Sequence, residues 1–452
     1  MVGKIDKQPQ LNLFKIQLTQ FIAKEHELRV LADKIEWDSI EKDFSKYYKN
    51  FGRPSVPIRK MVGLILLKYI YNLSDEAVVE RWKENPYWQY FCGEIYFQTQ
   101  QPIEPSEFVH FRNRIGEKGI ERLLKLSIDL FGKEAEEKEV LIDTTVQEKN
   151  ITYPTDAKLQ KRIIDKCNKI ASKEDIKLRQ SYTRTLKQLM IEQRFRNHPK
   201  RRKKARASAR KIKTIAGRIV RDLERKMNEE QLSHYQNEIA IFKKVLLQEK
   251  KSKNKIYSLH EPEVRCIAKG KEAKPYEFGN KTSIVKTKTS GIIVGALAFK
   301  KNLYDGDTLE PQLKQVNRLT GSDPKYGIVD RGYRGRKQIL YTQIISPKKL
   351  PASASKYKKQ KARERFRARA GIEPVIGHIK QDHRMLRNYL SGTQGDAINT
   401  MLAATAFNMK KMLNRIKKEV INIFCYFFQK IFIVQNFIFL SLIKKGDFLR
   451  DD

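Results

Sequence analysis

Cysteine is scarce and scattered. The four in 452 residues, Cys92, Cys167, Cys266 and Cys425, form no CxxC pair and have no histidine cluster beside them. That pattern excludes a disulfide scaffold and leaves zinc without a ligand set, so the thiols read as reduced packing residues of a cytoplasmic protein. The opening segment, MVGKIDKQPQLNLF, has no apolar core of signal-peptide length, and secretion is not expected. Acid is also short: 52 Asp plus Glu stand against 92 Lys plus Arg, a formal charge of +40. A solvated surface does not need that imbalance. A surface that neutralises phosphates and releases their counterions does, which makes nucleic acid the expected partner, ahead of a small-molecule substrate or a membrane.

What is present falls into three parts. Residues 1–133 carry helical periodicity. Leu28 to Lys49 is amphipathic, Ile58 to Leu73 has a dense apolar face, Ser74 caps a helix through Trp82, and Ser106 caps another with Phe108, Phe111 and Ile115 on one side. His110, Arg112, Asn113 and Arg114 fall on the polar side of that helix, as in a helix-turn-helix DNA reader or a small bundle with a basic solvated face. Residues 134–418 mix strand and helix. Residues 419–452 form an apolar tail, densest from Val420 to Ile443. Lys430 near its middle makes a membrane span costly, so the tail is expected to pack on the preceding domain or on a partner subunit.

The organising stretch is Tyr326 to Gly335, YGIVDRGYRG. Apolar strand residues run into Asp330, the glycines then let backbone come close, and Arg331 and Arg334 suit an anion. A carboxylate at the end of a strand is held still, as metal-assisted phosphodiester chemistry requires. A second acid is placed the same way: Val140, Leu141 and Ile142 lead into Asp143, and the strand continues through Val146. Asp156, in the following turn, is expected to cap the next helix. From about 157 to 250 the chain is helical and charged, and the run Arg201, Arg202, Lys203, Lys204 is expected to contact phosphates. Strands are predicted at Ile256 to His260, Tyr276 to Lys281, Ser283 to Lys286 and Ile292 to Phe299, then a helix from Thr308 to Leu319 and a strand at Gln343 to Ser346. Set aside the helical insertion, and this is the order of a ribonuclease-H-like mixed sheet, in which the first and fourth strands lie side by side and bring Asp143 to Asp330. The expected class is α+β: a helical N-terminal domain, then a ribonuclease-H-like domain with a helical insertion after its first strand. A third acid follows Lys356. Arg369, Glu373, Gly377 and Lys380 share one helical stripe, with a kink or fresh start near Gly371 because Pro374 donates no backbone bond.

Asp143 in LIDTTVQEKNITYPTDAKL, Asp330 in YGIVDRGYRG and Glu373 in RARAGIEPVIGHIK resemble the Asp, Asp and Glu of DDE transposases of bacterial insertion sequences. The third segment is similar to that family's Tyr/Arg/Glu/Lys signature: Arg369 lies four before the Glu and Lys380 seven after it, while Phe366 replaces the Tyr, losing a hydroxyl and keeping an aromatic face. The likeness runs from about Arg53 to about Lys411. It implies catalysis by Asp143, Asp330 and Glu373, which would hold two magnesium ions, with manganese able to substitute. It implies DNA contacts from Arg331, Arg334, Phe366, Arg369 and Lys380, and double-stranded DNA as partner, both transposon ends and target. A homodimer or larger multimer on DNA, at the bacterial nucleoid, is implied as well. Hard oxygen ligands favour magnesium or manganese on the residues alone. His378 and His383, near the third acid, read as polar helix-face residues. Two rival functions stay open, a catalytically silent DNA-binding descendant and a nuclease of the same fold. A ribosomal or RNA-binding protein would leave three acids unexplained.

Overall fold

The computed structural model describes residue 3 and residues 16–447, apart from 50, 53, 250, 269–271, 273, 348–350 and 352, with side chains given through Ile423 and at Cys425. The chain opens with α1 (Leu18–Phe21), α2 (Glu27–Lys34), α3 (Trp37–Ser45), α4 (Ile58–Ile70), α5 (Asp75–Glu84), α6 (Pro86–Phe91) and α7 (Glu107–Asp129). The break between α2 and α3 divides what periodicity alone reads as one amphipathic stretch. Ser74 caps α5 by accepting from the Ala77 N–H, whereas Ser106 stands at the N-cap of α7 without making that bond. α4 is buried on nearly every side, Lys68 included. The Lys68 ammonium meets Asp75 Oδ1 at 2.6 Å and Arg112 reaches the same oxygen at 3.2 Å. Arg112 is thus a buried ion-pair partner, and the solvent-facing basic surface expected around it is corrected at that position.

β1 (Glu139–Lys149) begins the sheet. The helical insertion follows as α8 (Asp156–Lys173), α9 (Thr183–Gln193), α10 (Arg202–Lys226) and α11 (Glu229–Leu247), closed around its own apolar core of Ile163, Ile164, Ile212, Ile219 and Phe242. Thr155, not Asp156, is the N-cap of α8. Then come β2 (Arg265–Ala268), β3 (Tyr276–Thr287), β4 (Ile293–Phe299), α12 (Leu309–Thr320), β5 (Tyr326–Ile328), β6 (Gln338–Ile339), β7 (Thr342–Ile345), α13 (Lys356–Arg369), α14 (Ile372–Asp382), β8 (Arg387–Asn388) and α15 (Gly392–Asp447). Two strand expectations are corrected. β3 is one strand rather than two, because β1 pairs along one edge while β2 and then β4 pair along the other. Residues 256–260 form no strand; Ile256 and Leu259 are drawn into the core of the insertion instead.

The central path runs β4, β3, β1, β5, β7, with β3 antiparallel to both its neighbours and β5 and β7 parallel to β1. This is a ribonuclease-H-like sheet, and of its strands taken in chain order, β1, β3, β4 and β5, the first and fourth are neighbours as expected. Strand alternation sorts the residues of β1 between two faces. Val140 and Ile142 enter a core shared with α4, α7, α12 and α15, while Leu141 packs with Ile328 and Ile372 on the opposite face. α15 is buried from Ile398 to Ile416 on its inner side, and Ile421 and Ile423 are exposed. The apolar side chains beyond them, and with them the expected packing of the tail, lie outside the described residues. Among the described residues no helix is long and apolar enough to cross a membrane.

The far end of β1 is tied to α15 by charge. Lys149 Nζ meets Asp396 at 2.9 Å and Glu261 at 3.4 Å, and donates to the carbonyls of Leu390 at 2.7 Å and Gly392 at 3.1 Å. Asp396 also accepts from Asn388 Nδ2 and from Asn280 Nδ2. Two buried carboxylates therefore depend on one ammonium. Replacing Lys149 with Met should lower the unfolding free energy by about 3–5 kcal/mol in a denaturant titration; an unchanged midpoint would show that the network does not hold β1 in place.

Candidate active site

The site is built on strand register. Leu141 and Ile328 are paired on parallel strands, and two residues further along each chain come Asp143 and Asp330, on the same face. Ile372, at the start of α14, packs on that apolar pair and carries the next residue, Glu373, to the same end of the sheet. α13 stops at Arg369 and α14 starts at Ile372, the break expected near Gly371.

Arg369 measures the convergence. Its Nη2 lies 3.3 Å from Asp143 Oδ2 and 3.7 Å from Asp330 Oδ2, and its Nη1 lies 3.3 Å from Glu373 Oε1. One guanidinium touches all three acids. The backbone fixes the two strand-borne carboxylates: the Thr144 N–H donates to Asp143 Oδ1 at 2.8 Å and the Gly332 N–H to Asp330 Oδ1 at 2.7 Å. Glu373 is exposed, so the site opens outward, as a macromolecular substrate requires. Burial pushes the Asp143 carboxyl up to about 6; Arg369 opposes the rise, and Asp330 and Glu373 add to it.

Three carboxylates around one cation are a hard-oxygen donor set of the kind that suits a divalent ion, with the guanidinium standing in for its charge. The donor chemistry fits such an ion. The spacing follows the larger group, since among the described residues no three acidic, histidine or cysteine side chains are close enough to grip one ion as they stand.

The other expected residues are more dispersed. Arg331 and Arg334 are exposed on the turn after Asp330, and Phe366 is half-buried on α13, three residues before Arg369. Lys380 lies two helical turns beyond Glu373 and lines a cleft of about 850 Å³ with Lys68, Arg112, Arg384 and Arg387. Arg201, Arg202, Lys203 and Lys204 are exposed at the start of α10. Arg201 stacks on Phe195 at 4.4 Å, Lys204 pairs with Glu192 at 3.1 Å, and no described contact joins this run to the three acids. His378 pairs with Asp382 at the surface. His383 is buried, its Nδ1 3.0 Å from the Tyr69 carbonyl, which corrects its placement on a polar face.

Sequence reasoning missed Asp305. Its Oδ1 accepts from Thr144 Oγ1 and from Lys281 Nζ, each at 2.8 Å, which sets it beside the acidic end of β1. It occupies a short 3-10 turn before α12, where an acid–Gly–acid triplet is the sole local signal.

Comparison with known proteins gives the following. Residues 16–114 match the family model described as Transposase domain (DUF772), and residues 246–409 match the Transposase DDE domain. The second match contains Asp330, Arg369 and Glu373; Asp143 lies outside both. A Rhizobium meliloti protein described as uncharacterized protein ORF8 in nfe locus is 41% identical over 192 residues, 41% of this chain and 93% of that protein. No solved structure matches.

An unfolded aspartate releases its proton near pH 4, roughly two units below folded Asp143, so the native chain holds a proton across that window that the unfolded chain has lost. Stability therefore falls as pH rises through it. Changing Asp143 to Asn should flatten the pH dependence of unfolding between about 4 and 6 and stabilise the protein at pH 7 by about 2–3 kcal/mol in chelator-containing buffer. Asp396, also pushed up to about 6, keeps part of the slope. A destabilised variant at pH 7 would contradict the strained environment assigned to Asp143.

Proposed function

Because this chain belongs to the DDE transposases of insertion sequences, we propose that it binds the terminal inverted repeats of its element, cleaves the DNA there and joins the freed end to target DNA. The observation that carries this reading is the single guanidinium in contact with Asp143, Asp330 and Glu373. In cleavage, water attacks phosphorus and the displaced oxygen leaves as the 3′ hydroxyl of the element's end. In joining, that hydroxyl attacks a target phosphodiester, and one phosphorus–oxygen bond forms as another breaks.

Asp143, Asp330 and Glu373 would hold two divalent ions, magnesium with manganese able to substitute. Bound there, the ions supply activation of the attacking oxygen and charge stabilisation at the departing one. The Thr144 and Gly332 amides pin two of the carboxylates, so little reorganisation is needed when substrate arrives. Arg369 and Lys380, with Arg331 and Arg334, take phosphates near the scissile bond, and Phe366 offers an aromatic face beside them. Arg201, Arg202, Lys203 and Lys204 hold the duplex further out, and residues 1–133 read the ends. The working unit is a homodimer or larger multimer assembled on DNA at the nucleoid.

Two experiments test this. Asp330→Asn should bind a duplex carrying the element's end as tightly as the unaltered protein does in a gel-shift assay, and should nick it about a thousandfold more slowly or not at all; metal-dependent nicking at the original rate would remove Asp330 from the chemistry. Changing Arg201, Arg202, Lys203 and Lys204 to Ala should lower the slope of log affinity against log salt by about 0.9 for each phosphate that is no longer neutralised. An unchanged slope would mean that the run is a solvated face.

A further inference from the structure

Asp305 belongs to a turn that is docked on the loop following Asp330. Tyr304 Oη donates to the Arg334 carbonyl at 3.0 Å, and Arg336 Nη2 meets Asp307 Oδ1 at 2.6 Å. This docking sets two carboxylates face to face. The first carbon of any side chain at Gly332 would lie 2.9 Å from Asp330 Oδ1 and 3.1 Å from Asp305 Oδ2. The glycine therefore keeps open a space bounded by one oxygen of each acid. Thr144 and Lys281 occupy Asp305 Oδ1 and lock the carboxylate, leaving Oδ2 on the Gly332 side.

Tyr333 marks the same place independently. Its ring is 1% exposed, and its buried Oη makes no hydrogen bond of good geometry, although Thr144 is close enough to interact with it. The charges of Asp143, Asp305 and Asp330 all act on it. Buried polar atoms in native proteins nearly always find a partner, so an orphaned hydroxyl among acids points to a site that binds something more.

We propose that Asp305 is a fourth metal-binding acid of this centre, sharing one divalent cation with Asp330 through the oxygens that face each other across Gly332. The inference rests on the three-acid reading of the site given above. Magnesium is commonly held by one or two carboxylates, with water and substrate phosphate completing its octahedron, and this pair meets that need without a further protein ligand. It also gives a two-ion centre more carboxylate oxygens than Asp143, Asp330 and Glu373 supply alone.

The test is Mn²⁺ binding to the full-length protein, followed by calorimetry with melting curves to verify folding. Asp305→Asn keeps an acceptor for Thr144 and Lys281 and removes only the charge. It should weaken Mn²⁺ binding by about tenfold or more, or lose one of two bound ions. Gly332→Ala removes no acid, but its methyl carbon would lie 2.9 Å from Asp330 Oδ1 and 3.1 Å from Asp305 Oδ2, so it pushes these oxygens aside and should weaken binding likewise. Asp307→Asn, on the same turn but facing Arg336, should bind as the unaltered protein does. Undiminished binding by Asp305→Asn or by Gly332→Ala would reduce Asp305 to a strut and overturn the proposal. An equal loss in Asp307→Asn would do the same, by showing an effect of bulk charge. Asp330→Asn separates the two levels: if it loses Mn²⁺ while Asp305→Asn does not, only the fourth acid falls, whereas full binding by Asp330→Asn overturns the three-acid site itself.

Discussion

The parallel register of β1 and β5 is the constraint on which the proposed chemistry depends. Leu141 opposite Ile328 fixes Asp143 beside Asp330, and a slip of one residue would send Asp330 to the opposite face. Several neighbours enforce that register. Val329 is buried in the main core, on the opposite face from Ile328, and its N–H donates to the Ile345 carbonyl at 3.0 Å. Gly327 lies where a side chain would press on Ile142 and Ile344. Ile372 then docks on the Leu141–Ile328 pair, so an apolar contact of modest size determines where Glu373 stands.

Convergence of acids opposes folding, and the surrounding structure offsets it. Burial raises the proton affinity of Asp143, and the nearby charges of Asp330 and Glu373 add to the rise. Arg369 supplies the opposing charge from a helix with no buried residue of its own. α13 is instead held along the two site-bearing strands by its arginines. Arg365 meets Glu139 at 2.7 Å and stacks over Tyr326 at 4.6 Å, at the first residues of β1 and β5, and Arg369 reaches the acids farther along them. Sites of this kind carry strain that the rest of the fold must outweigh.

Much of this was legible in the sequence because the relevant pattern is local. Apolar triplets ending in Asp143 and Asp330 read as strands that carry acids; the Arg369 to Lys380 spacing reads as one helical stripe, which the structure breaks between α13 and α14 while Lys380 lines a separate cleft. The helical insertion shows as a change of period after β1. What was not legible depends on tertiary partners. Arg112 looks like a surface cation until Asp75 is placed beside it. Residues 256–260 have strand composition, yet Ile256 and Leu259 are claimed by the core of the insertion. Asp305 sits in a turn whose composition suggests a helix start, and only Thr144, Lys281 and Gly332 reveal its position. The two family matches likewise stop short of Asp143, which joins the site through the fold.

The central claim, that three acids remote along the chain meet around a shared pair of divalent cations, is open to direct mapping. With Fe²⁺ in place of the native ion, ascorbate and peroxide generate hydroxyl radicals that cut the backbone beside the bound metal. The account predicts cuts clustered at residues 143, 330 and 373, suppressed together by excess Mg²⁺. Cuts at one of these segments without the others, or a pattern that excess Mg²⁺ leaves unchanged, would contradict it.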